Sequence, residues 1–158
     1  METDCFSCTQ NDASFLPLRD RLWEEPGWSV AHSFNSSLPG WLVLIPRRHV
    51  TSLDELTEVE SLVVGPLLRR LTSALRRVIG CEKTYVLLLA EAEGFTHLHF
   101  HVVPRSAQMP PEMRGVGVFA YLKGVPVDEQ AREEISQKIR RQFSRARRTH
   151  RISDERAA

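Results

Sequence analysis

Three histidines alternate with apolar residues in His97-Leu98-His99-Phe100-His101, and the run continues through Val102 and Val103 to Pro104. In a β-strand successive side chains point to opposite faces, so His97, His99 and His101 share one face while Leu98, Phe100 and Val102 share the other. The imidazoles then lie about 6 to 7 Å apart along the strand. A neutral imidazole is a nucleophile toward phosphorus, and an ordinary pKa of about 6.5 lets it serve as acid or base as well. Attack by His99, with His101 donating a hydrogen bond to the phosphate or protonating a leaving group, is the chemistry this face suits. One metal ion held by all three rings is the competing use. Alternate strand residues lie farther apart than ligands about 2.0 to 2.1 Å from a common ion prefer. A purely structural strand gains little from three ionisable groups on one face.

Cys5-Phe6-Ser7-Cys8 is the second constellation, a Cys-x-x-Cys pair whose spacing lets both thiolates reach one ion. A tetrahedral structural zinc needs two more ligands, and the candidates are His32, His49, His97, His99, His101 and His150. His49 follows a strand expected in the same sheet, and His97 begins the histidine strand, so both fall at sheet ends over which the N-terminal pair can fold. Cys5, Cys8, His49 and His97 would close a Cys2His2 zinc site and leave His99 and His101 for chemistry. The alternatives are an unstructured reduced pair and a dithiol redox motif. Redox pairs usually open a helix in a thioredoxin-like setting, which this start of the chain lacks. Cys81 reads as a small buried filler.

These residues need a scaffold, and 158 residues suit one domain with a moderate core. We expect that domain over residues 1–127, followed by a C-terminal helix and basic tail over 128–158. Pro and Gly signals separate β-rich runs at 19–23, 28–34 and 41–45, which implies an antiparallel meander. Apolar residues then recur with helical period from Val59 to Val78, with Gly80 placed as a C-cap. Ser52 with Glu55 and Thr57 with Glu60 both read as capping boxes, so a short helix can precede the main one, and Gly65-Pro66 should kink its interior. Residues 83–90 form a strand, 91–95 a short connection, and the histidine strand ends at Pro104. Residues 105–127 carry a patch, 116–122, that fits either a short strand or an arm across a neighbour. From Asp128 a narrow stripe of Ala131, Ile135, Ile139 and Phe143 marks a last helix.

The formal charge of +1 gives no global attraction to nucleic acid or membrane. No apolar run nears the roughly 20 residues that span a bilayer, and Met1-Glu2-Thr3-Asp4 lacks the basic and apolar regions of a signal peptide. We therefore expect a cytoplasmic protein without a membrane partner. An odd count of three cysteines argues against a disulfide framework. The tail arginines, Arg140 to Arg151, form a charged run at a terminus, so a solvated helix is expected there rather than a nucleic-acid site.

His97-Leu98-His99-Phe100-His101-Val102-Val103 matches the His-φ-His-φ-His-φ-φ signature of the histidine triad (HIT) proteins in full, φ being apolar. The segment from Pro39 to His49, ending Pro46-Arg47-Arg48-His49, looks like that family's upstream strand, and Cys5 with Cys8 resembles the pair of its zinc-binding members. The resemblance spans about Cys5 to Arg105. It implies an α+β fold, a HIT-like five-stranded antiparallel sheet with one main helix, assembled as a homodimer with a ten-stranded sheet. It further implies that His99 attacks the α-phosphorus of a nucleotide, that a nucleotidyl-histidine intermediate forms, and that His101 contacts the phosphate. By similarity to zinc-containing members, His97 would join Cys5, Cys8 and His49 as a metal ligand, and a main-chain carbonyl would orient His99.

The chain departs from the pattern at two places. Trp41 stands where many relatives carry histidine after Pro-Gly, and residues 91–96 are shorter than the usual phosphate-contacting loop and lack its Gly-Gln-Ser or Gly-Gln-Thr pattern. The residue that holds the ribose should fall between Ser33 and Asn35, and Asn35 is the candidate. Thr96 is the nearest remaining hydroxyl to the triad and the second candidate for substrate binding. The expected function is a nucleotide hydrolase or nucleotidyltransferase acting through His99. A nucleotide-binding scaffold with little catalysis is the alternative that the two departures favour.

Overall fold

The computed structural model describes residues 5–154, with side chains through Ser144. Five antiparallel strands form one sheet: β1 (Trp23–Glu25), β2 (Trp28–His32), β3 (Leu42–Pro46), β4 (Lys83–Leu88) and β5 (Phe100–Arg105). Their order across the sheet is β1-β2-β3-β5-β4. Three α-helices accompany them, α1 (Phe6–Asp12), α2 (Glu58–Ile79) and α3 (Glu129–Asp154). This is the expected α+β architecture. Among the described residues no helix is long and apolar enough to cross a membrane.

The main helix forms where the apolar stripe and its caps coincide. Thr57 Oγ1 accepts from the Glu60 N–H at 3.2 Å while Glu60 Oε2 accepts from the Thr57 N–H at 2.8 Å, a reciprocal capping box. Gly80 ends the helix in the left-handed region, φ 75°, a conformation that glycine enters without a Cβ clash. The other box also forms, and it opens the short 3-10 turn Leu53–Glu55. Both boxes are real because each begins its own element. Pro66 sits inside α2, which runs through it as one helix.

One sheet face is the core. Leu67, Leu71 and Leu75 of α2 pack on Val30, Leu42, Leu44, Phe100 and Val102, and Ile139 and Phe143 of α3 join the same cluster. Removing this apolar surface from water is the main stabilising term. The opposite face carries the polar and small residues Ser29, Ala31 and Val43 together with His101, and a second cluster of Trp41, Val103, Met109 and Val118 covers part of it. The segment after β5 supplies that cover. Two 3-10 turns, Pro111–Met113 and Gly115–Leu122, lie where a strand or an arm was expected, so residues 116–122 fold back on their own sheet.

Several boundaries differ from the sequence reading for identifiable reasons. Residues 19–22 are not strand: Pro17 carbonyl bonds to the N–H groups of Asp20 and Arg21 make a turn, and the ladder begins at Trp23. β5 starts at Phe100 rather than His97, because Pro46 on β3 has no N–H and its carbonyl accepts from the side chains of Asn11 and His97. The strand also runs past Pro104. The Glu82 N–H donates to the Arg105 carbonyl at 2.9 Å, so the missing Pro104 N–H faces the other side, where pairing with β3 has already ended at Val102.

The turn from β2 to β3 is pinned by His32. Its Nδ1 donates to the Ser33 carbonyl at 2.9 Å, and its Nε2 accepts the Gly40 N–H at 2.9 Å. Gly40 has φ +81°, and a Cβ there would meet Ile79 at 2.9 Å. His32 is therefore committed to the backbone and is not a metal ligand. Burial, helped by the Arg132 charge and opposed by the Ser33 bond, pushes its pKa from 6.5 down to about 4. Between these values the unfolded chain binds a proton that the folded protein refuses, so this contribution is complete above pH 6.5 and is lost as pH falls toward 4. Its full size is about 3 kcal/mol, of which about 2 kcal/mol is lost by pH 5. We expect urea midpoints to fall from pH 7 to pH 5 and the His32 ring to titrate near pH 4 by NMR; a ring titrating at its ordinary pH contradicts the assignment.

Candidate functional site

The metal cluster is assembled at the end of the sheet where β3 stops. Asn11 Nδ2 donates to the Pro46 and Arg47 carbonyls at 3.1 and 3.3 Å, and Asn11 Oδ1 accepts from the Ser29 hydroxyl at 3.1 Å. Arg21 donates to the carbonyls of Gln10 and Ala13 at 2.8 and 2.9 Å, covering the C-terminal end of α1. These contacts dock α1 on the sheet. The Leu98 N–H donates to the Val50 carbonyl at 2.8 Å, which brings the chain after His49 beside the chain after His97. The two imidazole centroids are 4.8 Å apart.

Cys5, Cys8, His49 and His97 converge, with all four ligand atoms within 4.8 Å of one another. Cys5 Sγ lies 3.4 Å from His97 Nδ1, and Cys8 Sγ lies 3.2 Å from His49 Nδ1 and 3.5 Å from His97 Nδ1. Tetrahedral zinc with ordinary bond lengths places sulfur and nitrogen ligands about 3.6 Å apart, so these edges match a common ion. His97 Nε2 donates to the Pro46 carbonyl at 3.0 Å, which fixes the proton there and turns the Nδ1 lone pair toward the thiolates. Burial lowers the His97 pKa, favouring the neutral form that ligates metal. The donor set fits zinc.

One reason given against a dithiol redox pair is overturned. Cys5 is the N-cap of α1 and accepts the Cys8 N–H at 3.4 Å, so the pair does open a helix. What favours metal is the arrival of His49 and His97 at the same point. The side chain of His150, another candidate ligand, lies outside the described residues, as do those of the tail arginines from Arg145 on.

His99 and His101 line a cavity of about 550 Å³ on the polar sheet face. His101 stands at mid-sheet, level with Val43 on β3 and Leu87 on β4. His99 Nδ1 is 2.8 Å from the His97 carbonyl, which can only accept, so the His99 proton is on Nδ1 and the Nε2 lone pair is left for chemistry. That Nε2 lies 3.2 Å from His101 Nε2. Trp41 Nε1 donates to His101 Nδ1 at 3.1 Å. Burial first, and then the charge that His99 can carry, push the His101 pKa from 6.5 down to about 4.

Asn35 lines the cavity and accepts from the Ser33 hydroxyl at 2.9 Å. Thr96 is exposed and is not among the lining residues. The sequence reading missed the aromatic group at the cavity wall. Phe34 lies 4.9 Å from Phe6 by ring centroids, and Phe95 lies 5.6 Å from Phe6. No local pattern links residues from α1, the β2–β3 turn and the β4–β5 loop. Phe119, whose ring is 5.3 Å from His101, was also missed, because the path of its segment was open.

An antiparallel sheet with a paired-imidazole face, a cavity over it and a Cys2His2 cluster at its end defines an α+β protein of the histidine-triad class. The chain belongs to the HIT domain family, whose model matches residues 19–108. Solved structures agree on the fold. A Zn-bound histidine triad family protein from Mycobacterium smegmatis is 16% identical with a TM-score of 0.69, covering 92% of this chain and 96% of that one. A hypothetical histidine triad nucleotide-binding protein from Sulfolobus tokodaii is 13% identical with a TM-score of 0.68, covering 89% and 93%. A histidine triad protein from Bradyrhizobium japonicum is 21% identical with a TM-score of 0.66, covering 78% and 89%. No curated protein matches the sequence significantly. The family includes hydrolases and transferases, and membership supports a function of nucleotide-binding or hydrolase type.

Protein purified without added metal should carry about one zinc per chain, and Cys8→Ser or chelation should remove it and lower Tm. A metal-free preparation with unchanged Tm contradicts the site.

Proposed function

We propose that this chain is a nucleotide hydrolase or nucleotidyltransferase in which His99 attacks the α-phosphorus of a nucleotide bound in the 550 Å³ cavity. The observation that carries the reading is the bond from His99 Nδ1 to the His97 carbonyl, which keeps the proton off Nε2 and leaves its lone pair facing His101 in the cavity as the nucleophile. In the first step the Nε2–P bond forms, the bond from phosphorus to the leaving group breaks, and the leaving group takes the electron pair. A phosphate oxygen then replaces His99 Nε2 as the acceptor of the His101 Nε2–H, which stabilises the charge that develops there. In the second step water attacks phosphorus, its proton passes to solvent, and His99 departs as neutral imidazole, since its Nδ1–H is retained. Another acceptor in place of water makes the reaction a transfer.

The polar pair Asn35 and Ser33 suits a ribose, and the rings of Phe6, Phe34 and Phe95 suit a nucleobase, whose faces stack on aromatics. Zinc bound by Cys5, Cys8, His49 and His97 would be a structural cross-link. Those residues hold α1 on the sheet and, through Cys5, keep Phe6 at the cavity wall.

The partner that completes the assembly is a second copy of the chain. β4 is an edge strand, with Val86 42% exposed and Leu89, just beyond its end, 54% exposed, an open apolar edge that pairing would cover. Sedimentation should therefore give a dimer that Val86→Lys converts to monomer. A wild-type monomer at micromolar concentration contradicts this assembly.

The catalytic reading is tested by incubation with an adenosine polyphosphate labelled at the α-phosphate, which should place label on His99. His99→Ala should lose at least about 1,000-fold in turnover while retaining its thermal transition. Saturable nucleotide binding with no turnover and no label would instead identify a binding scaffold, and normal turnover of His99→Ala would overturn the mechanism.

A further inference from the structure

Trp41 is fully buried and its indole N–H can only donate. It donates to His101 Nδ1 at 3.1 Å, so that nitrogen must hold a lone pair, and the only proton on neutral His101 is on Nε2. The Trp41 ring meets His101 edge-on at 88°, with centroids 5.5 Å apart, and meets Phe119 at 5.8 Å. Phe119 in turn packs on His101 at 5.3 Å. The ring of His101 is thus walled by two aromatics that have no acid proton to give, and Trp41 has no room to swing away. A general acid at His101 would need a second proton on Nδ1, where it would oppose the indole N–H head to head. Surrendering the Nε2 proton instead would leave an imidazolate, which is far too basic to form near neutrality.

We infer that Trp41 fixes His101 as a hydrogen-bond donor that cannot act as a proton donor, and that the site is thereby restricted to substrates whose leaving group departs as a stable anion. This rests on the reading of His99 as the nucleophile. Phosphoric anhydrides and acyl adenylates meet the condition: as the His99–P bond forms, the P–O bond breaks and its electron pair remains on a phosphate or carboxylate oxygen. Nucleoside phosphoramidates of alkylamines do not. Their P–N bond breaks readily only when the nitrogen takes up a proton as it leaves, and His101 has none to transfer. Trp41 is accordingly a positioning residue that acts on the leaving group through His101.

The experiment compares a dinucleoside tetraphosphate with an adenosine 5′-phosphoramidate of an alkylamine, in the wild type, Trp41→His and Trp41→Phe. The wild type should cleave the phosphoramidate about 100-fold more slowly than the anhydride, the low end of what a positioned acid contributes. Trp41→His, whose ring can accept as well as donate, should raise the phosphoramidate-to-anhydride ratio of kcat/KM by about 10-fold or more. The 15N shifts of His101 should report an unprotonated Nδ1 and a protonated Nε2 in the wild type, and a mixture of tautomers in Trp41→Phe, which keeps a ring but loses the donor. Equal turnover of both substrates with label on His99, or a protonated Nδ1, overturns this inference alone. Turnover of neither substrate with no label on His99 overturns the nucleophile reading and the restriction built on it.

Discussion

His97 is the residue on which the rest of the site depends, because one amino acid serves three neighbours at once. Its Nδ1 faces the two cysteine sulfurs, its Nε2 donates to the Pro46 carbonyl, and its own carbonyl accepts from His99. The metal cluster and the nucleophile are therefore joined through a single buried residue. Nothing about a β-strand requires this. The junction exists because pairing of β5 with both neighbours stops at Phe100, so the Pro46 and His97 carbonyls beyond it are left for side chains. Two backbone acceptors beyond the paired stretch thus orient two imidazoles.

The same lapse explains why α1 can dock where it does. Asn11 reaches the Pro46 and Arg47 carbonyls, and Arg21 covers the open carbonyls at the end of the helix. A seven-residue helix is marginal alone, so its position is set by these contacts and by the ligands it brings. Cys5 and Phe6 are consecutive, and the first faces the cluster while the second packs against Phe34 and Phe95 at the cavity. On the proposed reading the ion and the nucleobase are therefore held through consecutive residues at the start of one short helix.

Much of this was legible from the residues themselves. The His-φ-His run, the Pro-Gly turn and the two capping boxes each carry a local rule, and local rules survive into the fold. The metal set was legible because thiolates and imidazoles at sheet ends have few other uses. What escaped was non-local. Phe6, Phe34 and Phe95 share no period, and only the folded chain makes them neighbours. The path after β5 escaped because 116–122 is apolar without a repeat, and its 3-10 form is imposed by packing of Val118 on Trp41 and Val103. Thr96 was chosen for nearness in sequence to the histidines, yet the turn at 92–95 leaves it at the surface.

Trp41 ties these scales together. Seen in the sequence it is a departure from a family pattern, a bulky ring where a smaller imidazole is common. In the fold it is the fixed end of a hydrogen-bonded row that runs from its N–H through His101 and His99 to the His97 carbonyl. The row begins at a group that can only donate and ends at one that can only accept, so each imidazole between them has a single allowed tautomer in its neutral form. Imidazoles alone would leave that choice degenerate, because either ring nitrogen can carry the proton. The His97 carbonyl by itself keeps the His99 proton on Nδ1, so the choice left open would be that of His101. A donor-only residue at one end removes the degeneracy, and the cost is that the same row cannot deliver a proton to a leaving group.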